Sequence, residues 1–146
     1  MVKHYYYHLT QKPWAKRVTL KPRLHGCNRS DREPECKRIC VSSNIERCLV
    51  ALGSCLYRTR DIRIYRTENK VLGHQAWGVV DSKVTKEKWL TRPIKFVRVG
   101  IIKSDSSDLR TIFNMATGDS IYLKDQTKQL RRLIKLKKSY VSWESC

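Results

Sequence analysis

Acidic side chains are scarce in this 146-residue chain: 13 Asp and Glu stand against 31 Lys and Arg, a formal charge of +18. So large an excess goes beyond what solubility requires, and an acidic partner is expected, either nucleic acid or an acidic protein surface. There is no detachable basic tail, because cations outnumber acids in every third of the sequence. The charge therefore belongs to the folded surface. No apolar run approaches the roughly 18 residues of a membrane helix, and Met1–Tyr5 lacks the apolar core of a signal peptide. Both absences predict a protein that makes no membrane contact and stays in the cytoplasm. In that reducing setting the six cysteines are expected as thiols or metal ligands rather than disulfides. The length excludes two independent cores, and no internal repeat divides the chain.

What is present reads as mostly β structure. Tyr5, Tyr6 and Tyr7 between His4 and His8 favour a first strand that ends at Thr10, before the Pro13 breaker. Val18–Leu20 forms a short extended piece, residues 23–37 read as a polar surface loop, and residues 38–41 resume as a strand. Ser43 followed by Glu46 has the spacing of a capping box. Ile45, Cys48, Leu49, Leu52 and Leu56 then repeat along one face of a helix, which makes Cys48 a core residue. Ile62 and Ile64 alternate with charged neighbours in a further strand, residues 76–80 are another candidate, and residues 96–102 are the strongest β run. Residues 104–108 read as a linker or turn. Beyond it Asp125 can cap a helix to about Lys138, with a Leu130, Leu133 and Ile134 stripe and cations elsewhere.

This order of elements, with Tyr6-Tyr7-His8-Leu9-Thr10 as its first strand, Ile39-Cys40-Val41-Ser42 running into a helix, and Trp89 to Gly100 near the end of the β-rich part, resembles the ADP-ribosyltransferase superfamily. The likeness is to its small rifampicin ADP-ribosyltransferase type and covers about residues 5–103. It implies an α+β fold: a compact β-rich domain over residues 1–103 with one early helix, and a 104–146 extension whose basic helix packs on it.

The resemblance also implies NAD as the bound nucleotide and transfer of ADP-ribose to an unidentified acceptor, which could be an acidic protein, a nucleic acid or a small molecule. His8, at the histidine position of the first strand, would hold a ribose hydroxyl, with Thr10 closing that motif. An imidazole, with one donor and one acceptor nitrogen, suits the role. Cys40 falls where the family usually has a tyrosine stacked on the nicotinamide, and a thiol has no π face. Tyr57 and Tyr65 are the other rings considered. Asp81 and Glu87 are the candidate carboxylates for stabilising positive charge on the ribose as nicotinamide leaves. Arg23 and Arg38 flank the loop between the first two motifs and could hold the pyrophosphate bidentately.

Two other readings stay open. The same fold could be a catalytically inactive binding protein that blocks a nucleic acid, a nucleotide messenger or an acidic protein surface, as phage counter-defence proteins do. His25, Cys27, Cys36 and Cys40 could instead hold a tetrahedral zinc, although no tight Cys-x-x-Cys knuckle is present, and no metal is assigned.

Overall fold

A computed structural model describes residues 2–24, 36–77, 82–113 and 123–145. The fold is α+β. In chain order it runs β1 (Tyr7–Thr10), β2 (Arg17–Leu20), β3 (Ile39–Val41), α1 (Ile45–Leu52), a 3₁₀ turn (Gly53–Cys55), β4 (Ile62–Thr67), β5 (His74–Gln75), α2 (Ser82–Thr85), β6 (Lys88–Leu90), β7 (Ile94–Ile102), α3 (Ser107–Phe113), α4 (Leu123–Lys135) and β8 (Val141–Trp143). Among the described residues no helix is long and apolar enough to cross a membrane.

Five strands form an antiparallel sheet in the order β1-β4-β7-β2, with β8 pairing the far end of β7, and a second antiparallel sheet runs β3-β6-β5. Alternation along β4 explains the layers. Ile62 and Ile64 point to the main core beneath α1, α3 and α4, where they meet Leu49, Leu109 and Leu133. Tyr65 points the other way, into a second cluster with Ile39, Val41, Leu90 and Phe96. The large sheet is thus buried on both faces, by helices on one and by the small sheet on the other. Where β1 meets β3, Tyr7 and Ser42 exchange backbone hydrogen bonds of 2.8 and 3.2 Å, which seams the two sheets together beside His8 and Cys40.

Several expectations are adjusted by packing. The N-cap of α1 is Asn44, whose side chain accepts from the Arg47 backbone N–H at 2.9 Å, rather than Ser43. Glu46 is buried instead of reaching back to a cap, and it pairs with Lys138 Nζ at 3.0 Å. The run read as a linker or turn after Lys103 makes a turn at residues 104–105 and then leads into α3, with Leu109 and Phe113 buried. The expected strand at 76–80 is displaced: His74–Gln75 forms the strand, Ala76 is buried outside it, and residues 78–80 lie outside the described ones. Trp89 to Gly100 is two strands, β6 and β7, in different sheets, separated at Pro93. The 104–146 segment contributes β8 as well as its helix. A side chain at Gly100 would come within 2.9 Å of Val141 Cγ1, so glycine there lets β8 close on β7.

Cys48 is a buried free thiol, as its place in the helical stripe predicts. Cys55, by contrast, is disulfide-bonded, which corrects the expectation that all the cysteines are thiols or metal ligands. Burial pushes the Cys48 thiol up to about 12, and burial also raises the phenols of Tyr6, Tyr65 and Tyr140. A raised folded-state value means that the folded protein holds these protons more tightly than the unfolded chain. The stability they carry is complete below the ordinary thiol and phenol range and is lost as pH rises through the folded-state values. The unfolding free energy, and with it the denaturant midpoint, is therefore expected to fall from about pH 9 upward, the free energy by at most about 1.4 kcal/mol per pH unit for each proton involved. Midpoints measured at pH 8 and pH 11 check this, and a flat profile would contradict it.

Candidate functional site

The seam between the sheets carries two adjoining cavities that share His8 and Cys40 as a wall. The larger is an open cleft of about 430 Å³, lined by Trp14, Lys21, Arg23, Arg38 and the two shared residues. That volume lies in the range of small-molecule sites. The smaller, about 70 Å³, lies on the other side of the wall, where β3 enters α1, and Ser42, Arg47, Cys48, Thr85 and Glu87 line it.

Each wall residue is placed by the local fold. His8 sits on β1, and its Nδ1 is 2.9 Å from the Cys40 carbonyl oxygen. A carbonyl only accepts, so Nδ1 carries the proton and the acceptor lone pair of the neutral ring is on Nε2. The His8 ring stacks on Trp14 with centroids 5.9 Å apart and planes 11° apart. Trp14 in turn is held by β4: the Tyr65 hydroxyl donates to the Trp14 and Ala15 carbonyls at 3.0 and 2.8 Å. Phe96 meets His8 edge-on and closes the base of the aromatic group.

The cations enter from the strand ends. Arg23 and Arg38 form an isolated antiparallel bridge with backbone hydrogen bonds of 3.1 and 2.9 Å, so one rung carries both. Arg23 is exposed at the mouth, whereas Arg38 is 2% exposed and its guanidinium lies 4.3 Å from the Trp89 ring centroid. Stacking thus orients the Arg38 fork. Lys21 is exposed one residue beyond β2.

In the smaller cavity Glu87 accepts from Trp89 Nε1 at 2.6 Å, which fixes one carboxylate oxygen. Arg47 donates to the Val84 carbonyl and Ser42 Oγ to the Thr85 carbonyl, so α2 is tied to the start of α1. The Cys48 thiol, pushed up to about 12, stays protonated at neutral pH and is no nucleophile.

The structure thus brings His8, Cys40, Arg23, Arg38 and Glu87 to one pair of cavities. Thr10 is not among them: it is buried at the strand end, and its hydroxyl oxygen accepts from the Lys12 backbone N–H at 3.1 Å, a turn-forming role. Asp81 lies outside the described residues. Neither tyrosine considered as a substitute ring lines the cavities, since Tyr65 is fully buried with its hydroxyl committed and Tyr57 stands on another surface. Trp14 and Lys21 are the residues that sequence reasoning missed. Of the zinc set, Cys36 and Cys40 are not disulfide-bonded, and His25 and Cys27 lie outside the described residues.

Comparison with known proteins finds no matching family model, no similar curated protein and no similar solved structure. The site is therefore read from its chemistry: two stacked rings, an imidazole acceptor and converging cations around an open cleft, with a carboxylate behind the wall.

Proposed function

We propose that the cleft binds a nucleotide of the NAD type and that the chain is an ADP-ribosyltransferase-like protein that delivers ADP-ribose to an acceptor on an acidic macromolecule, nucleic acid or protein. The observation that carries this reading is the convergence of His8, Cys40, Arg23 and Arg38, far apart in sequence, on one cleft with Trp14 and Lys21. In this reading His8 Nε2 accepts a ribose hydroxyl, Trp14 offers a ring to the base, and Lys21 and Arg23 meet the phosphates. In the same reading the nicotinamide ribose reaches past the His8–Cys40 wall into the smaller cavity, where the Glu87 carboxylate stabilises positive charge on the ribose carbon as the bond to nicotinamide breaks. The bonding pair leaves with nicotinamide, the acceptor's nucleophile takes its place on the ribose, and the acceptor's proton passes to solvent.

His8→Ala is expected to weaken NAD binding roughly tenfold, the worth of one well-made hydrogen bond, with the thermal midpoint nearly unchanged because the ring is only half buried. Calorimetric titration of both proteins with NAD and with ADP-ribose tests it. Equal affinity in the variant, or no binding by the parent, would remove the nucleotide from this cleft.

A second reading is binding without transfer. One observation favours it: Cys40 stands at the wall where the family likeness calls for a stacking tyrosine, and the ring that lines the cleft, Trp14, is absent from the cavity that holds Glu87.

A further inference from the structure

A second surface is built around the turn from Tyr57 to Arg60. Gln11 commits its whole side-chain amide to that turn: Nε2 donates to the carbonyls of Tyr57 and Arg60, both at 2.9 Å, and Oε1 accepts from the Tyr57 backbone N–H at 2.8 Å. Both ends of the turn are thereby pinned to the chain just after β1. The turn presents the Tyr57 ring, with the residue 60% exposed, and the Arg60 guanidinium lies 4.9 Å from the ring centroid. Beside it opens a cleft of about 480 Å³ that Gln11, Pro13, Arg60 and Arg63 help to line. Lys12 and Arg58 are exposed on the same segments. The acid within the cleft, Asp61, is engaged by the Ser104 backbone N–H at 2.8 Å and by Lys103 Nζ at 3.6 Å, so it cancels little of this charge.

An aromatic ring held rigidly in water costs little further ordering when it binds, and a cation packed against it leaves ring surface for a second planar group. Unpaired nucleobases are such groups, and the surrounding guanidiniums match the phosphates between them. A duplex hides its base faces, and an acidic peptide would use the cations and leave the ring idle. We infer that Tyr57, with Lys12, Arg58, Arg60 and Arg63, forms a binding surface for single-stranded nucleic acid, a base stacking on the ring and the phosphates meeting the cations. The cleft beside Tyr57 shares no lining residue with the His8 cleft, although Lys12 also reaches over the Trp14 ring that lines the latter, and the inference holds whether or not the His8 cleft takes NAD.

The test is fluorescence anisotropy with a labelled oligouridine of about 12 nucleotides, a duplex of the same length and a polyglutamate competitor, at several salt concentrations. The single strand is expected to bind more tightly than the duplex and to resist polyglutamate. Tyr57→Ala should weaken it roughly 5- to 100-fold, the range for loss of one base stack, with Tyr57→Phe close to the parent and thermal midpoints unchanged in both. Arg60→Ala should make the slope of log affinity against log salt shallower by about 0.7, one phosphate contact. Gln11→Ala should lower affinity without altering that slope, because it removes positioning and no charge. Preference for the duplex, displacement by polyglutamate, or unchanged affinity in Tyr57→Ala would each overturn the proposal, as would loss of binding only when Arg131 and Arg132 of α4 are reversed to Glu.

Discussion

Leu133→Asp is expected to unfold the protein at room temperature or to lower its unfolding free energy by several kcal/mol. Leu133 is fully buried on α4, within the same cluster as Ile45 and Leu49 of α1 and Ile62 and Ile64 of β4. A carboxylate there loses the leucine's transfer and packing energy, about 2–5 kcal/mol for truncation alone, and must also be desolvated without a partner. The helix can avoid that burial only by undocking, which also exposes Leu130 and strands Glu46 without Lys138. The neighbouring Ile134 is 54% exposed, so Ile134→Asp is expected to stay within about 0.5 kcal/mol of the parent. Urea denaturation of the two variants separates the cases, and equal stability would make α4 a loosely attached basic arm.

The same residues show what the sequence makes legible. Leu130 and Leu133 lie one turn apart, and opposite them Lys128, Arg131, Arg132 and Lys135 share one exposed face, so helical period places these residues, whereas Ile134, expected in the same stripe, is exposed and Gln126 is buried. Ile62 and Ile64, and the long apolar run of β7, are legible because β alternation is local. The three residues of β8 are not. Val141-Ser142-Trp143 carries no pattern of its own and becomes a strand because Gly100 leaves room on the edge of β7. In α3 the signal was present in Leu109, Ile112 and Phe113, but the preceding Ser and Asp residues read as a linker or turn.

The candidate site divides in the same way. His8 and Cys40 come from motifs recognisable in the chain, and their pairing across the seam follows from the neighbouring Tyr7–Ser42 bridge. Trp14 follows a proline in an irregular segment, and besides its local bond to the Lys12 carbonyl its place is set by the His8 ring and by the Tyr65 hydroxyl, more than fifty positions away. Long-range hydrogen bonds of that kind leave no local pattern. The Arg38 guanidinium likewise depends on Trp89, a residue of the other strand of its pair.

Chemistry at the wall is tested most directly by nicotinamide release from NAD, followed by chromatography, for the parent and for Glu87→Gln. Glutamine keeps an acceptor for Trp89 Nε1 and removes only the charge, so the fold and NAD affinity should stay as in the parent. If Glu87 stabilises the developing positive charge on the ribose, release by the parent should be measurable and should fall roughly 10²- to 10³-fold in the variant, the scale for removing one preorganised electrostatic group. A parent that binds NAD and releases nothing, or a variant that releases nicotinamide at the parental rate, would contradict the account.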